Sequence, residues 1–225
     1  MLAAFFDVDG TLYGGRVWAG LMEYWKAHGR ALDARLYYLR FTPHYVARKL
    51  RLIGEERFRA PWAQYLAWPM RGWTAAQARA CFNWVAREYL QPLRHERIIA
   101  RLREHQERGH VVALVSSGLE PLSEAIGATL GVTRVVGPQV EWRDDRLTGR
   151  TLPPLVIGER KASVTRERLR EWKLDVDLAA SFAYADSISD LPLLEFVGHP
   201  TAVNPDERLA ALARERGWPV LTVDH

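Results

Sequence analysis

The chain opens on a short apolar run, LAAFF, that gives way to Asp7, Asp9 and Gly10. A compact apolar block closed by acidic residues and glycine predicts a buried parallel strand running into a loop. The pattern then changes. Residues 16–93 show no strand-like alternation and look helical, with breaks expected near Pro43, Gly54, Pro69 and Gly72. From residue 94 two patterns alternate. RHERIIARLREHQERG predicts a helix ending at Gly109, HVVALVSSG a strand entering a small-residue loop, LEPLSEAIGATLG a helix and TRVVG a short strand. QVEWRDDRLTGRT predicts a hairpin turning at Asp144-Asp145. ERKASVTRERLREWK reads as a helix and SFAYADSISD as a strand ending in acids. LPLLEFVG, PTAVN, DERLAALARERG and WPVLTV continue as helix, strand, helix, strand.

Strands alternating with helices predict an α/β fold, a doubly wound and mostly parallel sheet with helices on both faces. The strand at the start and the strands after residue 94 flank the helical stretch. The expected organisation is therefore a core of residues 1–13 plus 94–225, interrupted after its first strand by an all-helical insert over 14–93. Charge sharpens this division. The insert holds 13 Lys/Arg against 5 Asp/Glu, so it is strongly basic within a chain whose net charge is only +4. It also holds six of the nine tryptophans, at 18, 25, 62, 68, 73 and 84.

With 48% hydrophobic and 26% charged residues, the composition is that of a folded globular chain and excludes disorder. A lone cysteine, Cys81, excludes an internal disulfide, and its helical surroundings mark it as a small apolar packing residue. No run approaches the roughly 18 apolar residues of a membrane span, and Asp7 and Asp9 interrupt anything like a leader. A cytoplasmic protein is expected. The seven histidines form no HxH or HxxxH pair, so a histidine-built zinc site is not expected.

In open parallel sheets ligands bind at the carboxyl ends of strands, where strand order reverses. Asp7 and Asp9 follow the first strand, Ser116 follows HVVALV, Asp186 and Asp190 follow SFAYA, and Lys161 lies early in a helix. Carboxylates converging without histidine or cysteine suit a hard cation such as Mg²⁺. A carboxylate can also attack phosphorus, with the metal and Lys161 neutralising the phosphoryl oxygens and Ser116 donating a hydrogen bond.

These segments resemble the four ordered motifs of the haloacid dehalogenase (HAD) superfamily. FFDVDGTL is similar to its first motif, LVSSG to its second, Lys161 in GERKA to its third and YADSISD to its fourth. The insert after the first motif and the tail from DLPLLEF resemble the phosphoserine-phosphatase-like subgroup (subfamily IB), whose insert is a helical cap. The resemblance implies an Mg²⁺-dependent phosphatase acting on a small phosphate monoester through an aspartyl phosphate. Asp7 would be the nucleophile and a metal ligand. Asp9 would be the acid and base, with its carbonyl on the metal. Thr11, Ser116 and Lys161 would bind phosphate. Asp186 would be a metal ligand, and Asp190 a ligand through water or a support for Lys161.

Two positions depart from that pattern. Ala185 stands where glycine usually precedes the fourth motif's first Asp. Arg16 stands where phosphoserine phosphatases carry a glutamate that recognises the substrate's ammonium group. An arginine there would repel an ammonium, so a substrate contact from Arg16 implies an ester other than phosphoserine.

For the basic, Trp-rich insert three readings follow, in order of preference: a bundle with solvated arginines, electrostatic steering of an anionic substrate, and contact with a membrane surface. No nucleic-acid motif accompanies the charge. The same residues would equally serve phosphoryl transfer to another acceptor, as in a mutase, or non-enzymatic binding of Mg²⁺ or a phosphorylated ligand.

Overall fold

The computed structural model describes residues 1–50, 52–54, 61 and 63–223. Trp62 and His225, counted above, lie outside the described residues, as do parts of the segment between Pro43 and Pro69. A six-stranded sheet forms the centre. Its strands are β1 (Ala3–Phe6), β2 (Val111–Val115), β3 (Arg134–Val136), β6 (Phe182–Ala185), β7 (His199–Val203) and β8 (Val220–Leu221), in the order β3-β2-β1-β6-β7-β8. All five pairings are parallel, as the alternating pattern predicts. Strand order runs outward in both directions from β1, so the switch point lies at its carboxyl end, where Asp7 sits.

Strand periodicity sorts the core into two layers. Ala4, Phe6, Leu114 and Tyr184 face one side, against α4 (Glu96–Glu107), α5 (Glu120–Leu130) and the helical segment. Ala3, Phe5, Val115 and Ala185 face the other, against α6 (Arg160–Glu171), α7 (Leu191–Leu194) and α8 (Glu207–Arg216). Both faces are covered, which is why these strands read as continuous apolar runs. The predicted helix LPLLEFVG is a single turn and the predicted strand WPVLTV pairs over two residues only.

Between β1 and α4 the named elements are helical. They include α1 (Val17–Ala27), α2 (Ala31–Lys49) and α3 (Ala75–Trp84), followed by a π-turn over Val85–Tyr89. Thr74 and Gln77 form a reciprocal capping box at the start of α3, with Thr74 N–H donating to Gln77 Oε1 at 2.9 Å. Cys81 packs in the buried face of α3, and burial pushes its thiol up. The break expected at Pro43 does not occur, because α2 runs through it. Proline costs one backbone bond and crowds the preceding turn, and here it sits on the exposed side of a long surface helix. The chain leaves the sheet and returns to it at one place. Tyr13 bridges to Arg94, Gly14 N–H donates to Leu93 O at 2.8 Å and His95 N–H to Leu12 O at 2.9 Å.

The predicted hairpin is β4 (Val140–Arg143) and β5 (Arg146–Thr151). Asp144 and Asp145 both take positive φ, 49° and 57°, which a two-residue primed turn requires. The hairpin does not extend the sheet. It bonds to the helical segment instead: Gly72 N–H to Leu147 O at 2.7 Å, Leu147 N–H to Trp73 O at 2.9 Å, and Thr151 Oγ1 to Gln64 O at 2.8 Å.

Candidate functional site

Each predicted site residue sits on a loop at the carboxyl edge of the sheet or on the first turn of the next helix. Asp7 is held in register by its N–H, which donates to Tyr184 O on β6 at 3.0 Å. Its side chain is buried and makes two contacts: Lys161 Nζ lies 2.6 Å from Oδ1, and Thr11 Oγ1 donates to Oδ2 at 3.2 Å. Lys161 is the second residue of α6 and is itself buried. Its ammonium also touches Asp190 Oδ1 at 2.5 Å. Burial works against that charge, but the carboxylates of Asp190 and Asp7 outweigh it and hold the lysine protonated, above its ordinary range. Lys173, an alternative third-motif lysine, lies beyond the far end of α6.

Asp186 follows β6. Its carboxyl, with those of Asp7 and Asp190, supplies an oxygen to a cluster whose members all lie within 4.8 Å of one another. Removal from water, and then the nearby Asp7 charge, push Asp186 up to about 8. The donor set is all oxygen and crowded with negative charge, which fits a hard divalent cation. Ala185 is fully buried and is not among the non-glycine residues with positive φ. The missing glycine of the fourth motif is therefore accommodated without strain.

Asp9 projects into the cleft. Val17 N–H donates to its Oδ1 at 2.8 Å and fixes its direction. Loss of hydration, then the Asp7 charge, raise its carboxyl to about 6. Arg16 leans on this group of oxygens, with Nη1 donating to the Asp9 carbonyl at 3.4 Å and Nη2 lying 3.8 Å from Asp186 Oδ2. Ser116 is fully buried, and its Oγ accepts from Gly118 N–H at 3.0 Å, which leaves its own O–H to donate elsewhere. Ser187 caps the following turn and donates to Asp206, and Asn204 pairs with Val223; both are local turn residues.

Two residues have supporting contacts that the sequence pattern does not reveal. Gly10 has φ 85°, and a Cβ on it would lie 2.1 Å from Asp186 Oδ2. Only glycine lets the first and fourth loops approach so closely. His95, buried where the helical segment returns, places Nδ1 2.8 Å from the Thr11 carbonyl and so braces the first loop from behind.

Above the carboxylates lies a cavity of about 600 Å³, and Asp7, Asp9, Lys161, Asp186 and Asp190 all contribute to its lining. Its other wall is largely aromatic: Trp18 from α1, and Tyr37, Tyr38, Phe41 and Tyr45 from α2. Motif spacing gives no sign of these, because the same helical periodicity describes an ordinary core. Tyr37 and Phe41 do serve in both.

The family model for haloacid dehalogenase-like hydrolases matches residues 4–195. The chain is 32% identical over 222 residues to the inhibition of morphological differentiation protein of Streptomyces azureus, covering 97% of this chain and 77% of that one. It is 33% identical over 230 residues to phosphoserine phosphatase SerB1 of Mycobacterium tuberculosis, covering 97% and 70%. Among solved structures, a Bordetella pertussis protein of unknown function superposes with TM-score 0.85 at 26% identity, over 98% of each chain. A substrate-bound phosphoserine phosphatase shares the fold, with TM-score 0.61 at 14% identity over 98% of this chain and 92% of that one. The chain therefore belongs to the haloacid dehalogenase-like hydrolase family, in its phosphoserine-phosphatase-like subgroup.

Proposed function

We propose that the protein is an Mg²⁺-dependent phosphatase that hydrolyses a phosphate monoester through an aspartyl phosphate on Asp7. The observation that carries this reading is the meeting of Asp7, Lys161, Asp186 and Asp190 on one wall of a single cavity.

Asp7 and Asp186, with the Asp9 carbonyl, would hold Mg²⁺, and Asp190 supports the site through Lys161. The ion supplies positive charge that offsets the phosphoryl oxygens and the acidic pair. Lys161 and Thr11 orient the Asp7 carboxylate, whose oxygen attacks phosphorus as the bond to the leaving oxygen breaks. Lys161 then bears on the phosphoryl oxygens, as do the Thr11 and Ser116 hydroxyls. Asp9, raised to about 6, retains enough proton near neutrality to give it to the leaving alkoxide. As a carboxylate it next takes a proton from water, which attacks phosphorus, breaks the bond to Asp7 and releases phosphate. Residues 14–93 act as a cap that excludes bulk water once the ester is bound.

The cavity also bears on the substrate. Its aromatic wall offers apolar contact, and Arg16 disfavours an ammonium beside the leaving group. The proposed substrate is therefore an ester of an apolar or aromatic alcohol larger than serine. Phosphate release from a panel of monoesters, with and without Mg²⁺, tests this. Aryl and alkyl phosphates should exceed phosphoserine in kcat/KM, and Asp7→Asn should lower kcat by at least about a thousandfold with the fold intact. Near-normal hydrolysis of p-nitrophenyl phosphate by that variant would overturn the nucleophile assignment.

A further inference from the structure

We propose that the outer face of α2 docks on an anionic lipid surface. Leu32, Leu36, Leu39, Pro43, Val46 and Leu50 recur at spacings of four and three along α2 and its C-cap, which places them in one stripe down the helix. The stripe faces away from the protein. Leu32 and Leu39 are each 67% exposed, and Leu36, Val46 and Leu50 are exposed as well. The buried residues of α2, namely Ala34, Tyr37 and Phe41, lie on the opposite side. A contiguous row of large apolar side chains in water marks a surface that meets something.

The rim of the stripe says what it meets. By helical geometry Arg35 and Lys49 flank one edge and are exposed, while Arg40 on the other edge is exposed with its guanidinium 5.2 Å over the Tyr65 ring. The acidic residue of α2, Asp33, is engaged by Arg30 at 2.6 Å. A second copy of this chain seated on the stripe would set Arg35, Arg40 and Lys49 against the same cations of its partner, and among the described residues the one acid of α2, Asp33, is already held by Arg30. An anionic bilayer satisfies both parts at once. Leucine and valine side chains enter the headgroup boundary while arginine and lysine meet lipid phosphates. The contact is peripheral, since no described helix is long and apolar enough to cross a membrane. It also concerns the helix whose inner side walls the cavity through Tyr37, Tyr38, Phe41 and Tyr45.

Docking does not depend on the proposed reaction and is measured without it. The full chain is sedimented with vesicles of phosphatidylcholine alone, or with about one quarter phosphatidylglycerol. The wild type should pellet with the anionic vesicles, stay in solution with the neutral ones, and be released by added salt. Leu36→Glu/Leu39→Glu should weaken binding by at least about tenfold, and Arg35→Glu/Lys49→Glu should reduce it in the same direction. Both variants should keep the wild-type circular dichroism and the wild-type rate on p-nitrophenyl phosphate, because none of these residues belongs to the site. Equal partitioning onto neutral and anionic vesicles would overturn the proposal. So would binding unchanged in both variants, or light scattering that finds a dimer which the leucine substitutions dissolve.

Discussion

Gly10 touches Asp186 across the site, and its backbone sits at φ 85°. Both facts exclude a side chain there. Gly10→Ala would add a Cβ 2.1 Å from Asp186 Oδ2, so the fourth loop must move. The left-handed backbone alone costs on the order of 1 kcal/mol for alanine, which the fold should survive. Displacing Asp186 bears on activity far more than on stability. We expect kcat/KM toward p-nitrophenyl phosphate to fall by about a hundredfold or more, with an apparent Mg²⁺ affinity that weakens in parallel. At this scale much of the site was legible from the chain. Asp7, Asp9, Asp186 and Asp190 follow strands whose apolar runs announce them, and Lys161 stands out by its place in the order of the motifs. Trp18, Tyr37 and Tyr45 were not legible as cavity lining, because burial against solvent and burial against a ligand demand the same side chains. Arg16 was singled out by its position, and it lies against Asp186 and the Asp9 carbonyl.

At the scale of elements, α4 and β6 are joined at the end of the sheet opposite the site by a small polar group inside an aromatic cluster. His105 on α4 is buried, with Nδ1 2.8 Å from His110 Nδ1 and Nε2 2.9 Å from the Tyr184 hydroxyl. Two ring nitrogens at that distance share one proton, so the pair does not tolerate both rings as cations. Burial first, then His110, Arg101 and Arg108, lower His105 from 6.5 to about 4. Its folded value lies below its unfolded one. The unfolded chain therefore takes up a proton as pH falls through about 6.5, which the folded chain refuses until about 4. Over that window the fold loses on the order of 3 kcal/mol through this group. The raised carboxyls of Asp9 and Asp186 act with the opposite sign, because their folded forms favour the proton. A comparison with His105→Gln separates the two effects. In urea unfolding, the stability advantage of wild type over the variant should shrink between about pH 7 and about pH 5. Element boundaries were read well wherever caps and turns carry their own chemistry, as at Thr74-Gln77 and Asp144-Asp145. They were misread at Pro43, where tertiary support from the buried Tyr37 and Phe41 face outweighs one lost backbone bond.

For the molecule as a whole, the acidic cluster is a local source of instability when no cation is bound. Like charges are gathered in a partly dehydrated place, and among the described residues Lys161 and Arg16 bring positive charge against them. A divalent ion that binds the folded chain alone should stabilise it by about 3 kcal/mol at a hundredfold excess over Kd, a rise in Tm of roughly 5–10 °C for a chain of this size. Thermal denaturation with Mg²⁺ and with chelator measures it, and Asp186→Asn should abolish most of the difference. The parallel sheet, its two helical layers and the interruption after β1 were all legible, because alternation of apolar runs with helical periods leaves few topologies. The attachment of the hairpin was not. Nothing in QVEWRDDRLTGRT tells which neighbour its backbone edge will meet.

That attachment ties the hairpin to the roof of the cavity. The helical segment is anchored where Tyr13 meets Arg94, and again where β5 meets Gly72 and Trp73. A swing that left the hairpin behind would break the Gly72–Leu147 and Leu147–Trp73 bonds. Any displacement of the helices at Gly72 and Trp73 would be passed to the hairpin, whose stem closes where the Leu152 N–H reaches the Gln139 carbonyl at 2.8 Å. With α3 also packed on α5, the helices are seated along a whole seam, and the hairpin secures one further corner of the roof that covers the carboxylates.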